Sequence, residues 1–241
     1  MSVIYIRCYQ KKSKNISSKR NYTMNKNTMS HEENNSRISD QVENIPDIPV
    51  ERKKQIENIV ADILKKSNIQ KSAEESSLIV DIVRLVKGND FAVESAEMDK
   101  DTTGLLIVND NETVMDTNKN KLIVVNTQFD NRDNDENVVL KKSRFITAHE
   151  YGHYILHKKS GQSIYAHRDT AHRTEPEELE ADYFARAILM PLHTFKIYVK
   201  VMKDFKLFDD EEMCLSILSD IFKSTKNKVA KRMKDLEELG A

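Results

Sequence analysis

Apolar residues in this chain recur with two different periods, and the change of period marks the elements. Ile56, Ile59, Val60, Ile63 and Leu64 fall at i, i+3, i+4, i+7 and i+8, which is one buried face of a helix. The spacing predicts a helix over residues 51–66. Ile79, Ile82, Val83 and Val86 predict a second helix, with Gly88 as its stop. The period then shortens. Residues 91–97, 104–108, 113–117 and 121–126 are short runs rich in Val, Ile and Leu, separated by Asn, Asp and Gly, and they read as strands. Asn109-Asp110-Asn111 and residues 117–120 read as hairpin turns. The expectation is a small, mostly antiparallel sheet of three or four strands. Residues 129–137 and 158–173 read as polar loops.

Helical spacing returns at residues 143–157, where Phe145, Ala148, Gly152, Ile155 and Leu156 form a stripe. A glycine inside a helix costs about 1 kcal/mol against alanine, so Gly152 on that stripe points to a closely packed neighbour. A further helix is expected over 174–190. Thr174, Glu175, Pro176 and Glu177 resemble a capping box with proline in the first turn. Ala181, Phe184, Ala185 and Ile188 share one face, and Pro191 ends it. Residues 192–205 and 211–239 read as helical. The fold class is therefore α+β: a small sheet packed with helices, followed by a C-terminal helical segment.

Composition narrows the picture. With a net charge of −1, no global field points to nucleic acid or a membrane surface. No apolar run approaches the length of a membrane span. The opening MSVIYIRC has no basic n-region, so export by a signal peptide is not expected. Cys8 and Cys214 are far apart and in no metal-ligand spacing, which suits unpaired thiols in a reducing, cytoplasmic setting. Up to Ser30 there are seven Lys or Arg and no acid, set among Asn and Ser. Residues 1–48 are accordingly expected to be a disordered basic and polar tail, residues 51–195 one domain, and residues 196–241 a separate helical segment.

The chemistry centres on H-E-x-x-H, made by His149, Glu150 and His153. Four residues is about one helical turn, so both imidazoles project from one side of a helix, as two ligands of a tetrahedral zinc ion do. Glu150 is placed to take a proton from a metal-activated water. A third protein ligand is needed. His157 lies about 12 Å along the axis from His149, too far to share one ion with it. Glu178 and Asp182, four apart on the next helix, border the apolar stripe, where a carboxylate is costly unless paired or metal-bound. Glu180 points away from them. Glu178 is the expected third ligand. Asp182 is the expected acceptor for the other ring N–H of a ligand histidine. The competing reading makes Glu178 and Asp182 solvated surface pairs.

Residues 144–157, RFITAHEYGHYILH, followed by residues 178–191, ELEADYFARAILMP, resemble the ImmA/IrrE family of metallo-endopeptidases. The family's pattern is an F-T-x-A-H-E-x-G-H-x-x-L-H helix, then E-x-x-A-N/D-x-F-A-x-x-L-L-M-P. The resemblance covers roughly residues 52–195, with a weaker C-terminal echo. Ile146-Thr147 departs from it, the family's Thr being shifted by one place. The resemblance implies a minimal zincin-like fold and one Zn2+ per chain held by His149, His153 and Glu178, with Glu150 as general base. It also implies a cytoplasmic, gluzincin-like peptidase. Some members cleave a helix-turn-helix repressor of a mobile element or stress regulon.

Leu215, Leu218, Ile221 and Phe222, then Ser224-Thr225, then Val229, Met233 and Leu236 read as helix, turn, helix. Lys226, Lys228, Lys231, Arg232 and Lys234 make the second helix basic, which suits phosphate contacts, though Glu237 and Glu238 oppose them. DNA binding here is the weaker expectation; a docking face for a repressor is another. The leading functional expectation is an intracellular, site-specific zinc endopeptidase acting on a helix-turn-helix repressor. The alternative is a non-proteolytic regulatory protein that acts on a repressor or DNA through its C-terminal helices. An electrophilic partner for the tetrahedral oxyanion is expected. Tyr165, His167 and His172 are candidates, with no choice among them.

Overall fold

Pro49 cannot donate a backbone hydrogen bond and sits at φ −55°, ψ 140°, which places it just ahead of the first helix, α1 (Val50–Lys66). Helix α1 turns Ile56, Val60 and Leu64 inward, and with them Lys53 and Glu57. In the computed structural model the described residues are 47–67, 79–99, 101–110, 112–114, 117–128, 136–158, 164–169, 175–205 and 210–240. Helix α2 (Ile82–Gly88) starts at Asp81, whose carboxylate accepts from the Arg84 N–H at 3.0 Å. It ends at Gly88 as its pattern predicts. The left-handed residue is nevertheless Asp90, at φ 68°.

The sheet holds four strands among the described residues: β1 (Ala92–Ala96), β2 (Thr102–Val108), β3 (Lys121–Asn126) and β4 (Ile164–Asp169), in the order β1-β3-β2-β4. The β1–β3 pair is parallel and the other two are antiparallel. Two expectations change. Of the stretch 113–117, the described residues 113, 114 and 117 lie in no strand. The Val114 N–H bonds the Lys119 carbonyl at 2.6 Å, and the Thr117 hydroxyl donates to the Val114 carbonyl. Asn118 at φ 52° closes that turn. Among the described residues between β2 and β3, Val114 is the buried one. The fourth strand lies in the stretch read as loop. Its sequence, Ile-Tyr-Ala-His-Arg-Asp, has no clean alternation, because it is held at the sheet edge by its backbone ladder to β2.

Leu106 and Val108 of β2 and Ile123 and Val125 of β3 share a core with Phe145, Ile146, Ala148 and Tyr151 of α3 (Glu136–His157). The buried face of α4 (Pro176–Leu189), with Phe184, Ala185 and Ile188, completes it. The residue ahead of α4 is Glu175, with Pro176 at the first helical position and no side-chain cap. Thr174, the expected cap, lies outside the described residues.

A second apolar cluster gathers Phe195, Val199 and Met202 of α5 (Leu192–Asp204) with residues of the last two helices. These are Cys214, Leu218 and Phe222 of α6 (Glu211–Phe222) and Val229 and Leu236 of α7 (Lys226–Glu238). Lys223, left-handed at φ 47°, makes the turn between α6 and α7. Two observations bear on where the chain divides. Ile48 is buried in the main core. The expected division at 195/196 falls inside α5. Residues Ile48–Ala241 form one compact unit. No helix among the described residues is long and apolar enough to cross a membrane.

Candidate metal centre

Helices α3 and α4 approach closely because Gly152 permits it. A Cβ there would lie 3.0 Å from Phe184 Cδ1 and 3.3 Å from the Ala181 backbone. This contact brings the polar flank of α4 against His149 and His153, both buried.

Three donor atoms converge. His149 Nε2 stands 3.2 Å from Glu178 Oε2, His153 Nε2 stands 3.0 Å from Glu178 Oε1, and the two Nε2 atoms are 3.0 Å apart. Burial raises the Glu178 carboxyl, but hydrogen bonds and charge from the two histidines outweigh it and hold it well below the usual carboxylate range. Donors bound tetrahedrally at about 2.0–2.1 Å are about 3.3 Å from one another, so the observed triangle is the right size for one metal ion. Two imidazoles and a carboxylate are also a donor set that zinc accepts. The three residues form a group that could hold a metal ion.

Asp182, one turn beyond Glu178, places Oδ1 3.0 Å from His149 Nδ1. With a proton on Nδ1 donated to that carboxylate, Nε2 keeps its lone pair for the donor triangle. Lys228 of α7 reaches the other oxygen, Oδ2, at 3.0 Å, and its ammonium lies over the Phe145 ring, 3.7 Å from the centroid.

Glu180 is not among the converging donors. Its carboxylate takes two hydrogen bonds from Arg52, at 2.9 and 2.6 Å, and stands 3.2 Å from His157 Nε2. His157 in turn faces the back of His153, Nδ1 to Nδ1 at 3.2 Å.

Glu150 is fully buried. The sheet makes room for it at Gly104 of β2, where a Cβ would lie 2.6 Å from Glu150 Oε1 and 2.6 Å from Ile146 Cγ2. The sequence signal for Gly104 was a glycine heading a Leu-Leu-Ile-Val strand run. Tyr165 and His167 lie on β4, in register with Ile107 and Leu105; His172 lies outside the described residues.

Most of the basic residues of α7 that suggested DNA contact are paired with acids. Arg232 is fully buried and binds Glu57 and the Met190 carbonyl. Lys228 meets Asp182, Lys226 meets Glu212, and Lys234 lies 3.5 Å from Glu238.

The family model of the IrrE N-terminal-like domain, Peptidase_M78, matches residues 109–233. The match begins after β2, takes in α3, β4 and α4 with every residue of the donor triangle, and runs through most of α7. It therefore starts later and ends later than the resemblance at residues 52–195. No curated protein matches the chain. With more than half of its length matched, and with two histidines and a carboxylate gathered at one point, the chain belongs to the ImmA/IrrE family of metallopeptidases.

Proposed function

We propose that this metallopeptidase is a zinc-dependent, site-specific endopeptidase, that it acts in the cytoplasm, and that its substrate is a helix-turn-helix repressor. The observation that carries the catalytic half is the convergence of His149, His153 and Glu178 beside a buried Glu150. A zinc ion held there by His149, His153 and Glu178 would supply a Lewis acid and a water activated near neutral pH. Glu150 follows His149 in the chain and would act as general base, accepting a proton from the attacking water and passing it to the leaving amine. His149 and His153 present Nε2 lone pairs, and Asp182 keeps the His149 ring in the tautomer that allows this. The repressor as substrate rests on the family resemblance alone.

Co-expression with the helix-turn-helix repressor encoded beside the gene tests the reading. Wild-type protein should yield discrete repressor fragments, and Glu150→Gln should yield none while still capturing the repressor. Relief of repression by Glu150→Gln equal to that by wild type would hand the function to the regulatory-binding alternative.

A further inference from the structure

Each of the two histidines in the donor triangle has its second ring nitrogen engaged, and each engagement runs outward to a basic side chain on a different helix. On one side the order is His149, Asp182, Lys228, with both steps at 3.0 Å. On the other it is His153, His157, Glu180, Arg52, with steps of 3.2 and 3.2 Å and then the paired bonds from Arg52. We propose that these are two positioning arms, so that Lys228 of α7 and Arg52 of α1 set the orientation of the metal-binding imidazoles without touching the metal. The proposal rests on the zinc reading of the donor triangle.

Proton bookkeeping along the second arm gives it direction. Arg52 binds Glu180 through two nitrogens, so Glu180 is an ionised acceptor. A neutral His157 must then carry its proton on Nε2 to donate to Glu180, which leaves Nδ1 as an acceptor. The only proton available between the two facing Nδ1 atoms is therefore that of His153. His153 becomes Nδ1-protonated, with its Nε2 lone pair aimed into the donor triangle. Asp182 imposes the same tautomer on His149 in one step. Two differently built arms thus bring both imidazoles to the one protonation pattern that permits metal binding.

The outer members also fix rotation. Asp182 bridges two groups on other helices, and Lys228 is held over the Phe145 ring as well. Glu180 is pinned by a fork of two bonds, a geometry that one lysine could not reproduce. Helix α7 thereby belongs to the machinery of the centre, and His157, too far along its helix to share the ion, gains a role behind His153.

The test is zinc affinity of the full-length protein, measured by competition with a chromogenic chelator, together with the visible absorption of the cobalt(II)-substituted protein. Lys228→Met keeps the alkyl stem and removes the ammonium. His157→Phe keeps a ring and removes the acceptor. Each should weaken zinc about 10- to 100-fold, the usual cost of losing such an outer partner, and should change the cobalt spectrum. Melting of the metal-free protein should stay close to wild type. Lys228→Arg should recover most of the affinity. If either variant fails to fold, the other decides, because the proposal requires both arms to matter. Wild-type zinc affinity and an unchanged cobalt spectrum in a folded Lys228→Met or His157→Phe protein would overturn the arms and leave the zinc site standing. A wild-type protein that takes up no zinc would overturn both.

Discussion

Helix α4 packs against α3, α1 and α7, and the first and last of these hold it by different means. Against α3 the contact is close at Gly152, where Phe184 and Ala181 occupy the space a side chain would need, and His–carboxylate pairs flank it. Toward α7 the contacts are ionic. Arg186 of α4 binds Asp235 at 2.7 and 3.1 Å, and Lys228 reaches Asp182. Farther along the same face of α7, Arg232 binds Glu57 of α1, to which the Tyr183 hydroxyl also donates, and Lys53 pairs with Glu238. Close apolar packing sets how near two helices come. Ion pairs set angular position, and the fully buried one, Arg232 with Glu57, loses heavily when one partner goes, because the other is left charged in a buried setting. The donor triangle lies on the first interface and one of its orienting residues lies on the second, so the site draws distance from one and rotation from the other.

The largest expected effect breaks the ionic side. Arg232→Met leaves Glu57 buried without its guanidinium and should cost about 3–5 kcal/mol, read as a shift in the denaturant midpoint. Adding Glu57→Gln should recover a good part of that loss; a double variant no better than the single one would mean that the pair does not act as a unit.

Glu150→Gln probes the site without disturbing either interface. Turnover should fall by about a hundredfold or more, which is about 2.7 kcal/mol of transition-state stabilisation, while zinc content and melting temperature hold. A variant that keeps near-wild-type turnover would remove Glu150 from the chemistry.

Glu178→Ala should lose most of the zinc, whereas Glu180→Ala should retain a weaker site, since Glu180 stands behind His157 rather than in the triangle. Metal analysis after reconstitution compares them, and the reverse ranking would redraw the centre.

Gly152→Ala tests the apolar side. The added methyl meets Phe184 and Ala181, and overpacking of this kind costs about 1–3 kcal/mol. The variant should also bind zinc less tightly, because α4 must back away from α3. Unchanged stability with unchanged affinity would show that the helices have slack there.

The smallest effect is expected from removing residues 1–46. The cut belongs before Asp47 rather than near Val50, because Ile48 is part of the core. Zinc content and Glu150-dependent activity should survive, and loss of either would give the N-terminal stretch a role that its sequence pattern does not suggest.

The core of the site could be read from the sequence because helix geometry is local. The four-residue step from His149 to His153 puts both rings on one flank, and the same step from Glu178 to Asp182 puts two carboxylates beside an apolar stripe. Helices that share a dry interface have few ways to bring those flanks together. The sheet was less legible. An edge strand such as β4 is held by backbone bonds and needs no apolar alternation, whereas Val114 supplied a strand-like residue to a stretch that is a turn.

What the sequence determined by itself was therefore periodic: the helices, the H-E-x-x-H pair, the placement of Glu178 rather than Glu180 beside that pair, and the helix-turn-helix course of the last segment. Tertiary structure alone decided partners. Glu57 and Arg232 are 175 residues apart, Arg52 and Glu180 are 128 apart, and Asp182 and Lys228 are 46 apart. No period links such positions. A lysine on α7 reads the same in sequence whether it faces a phosphate in solvent or an aspartate behind a buried histidine. Only the packing of α7 against α4 and α1 decides which, because a buried charge must find its counter-charge wherever the fold delivers one.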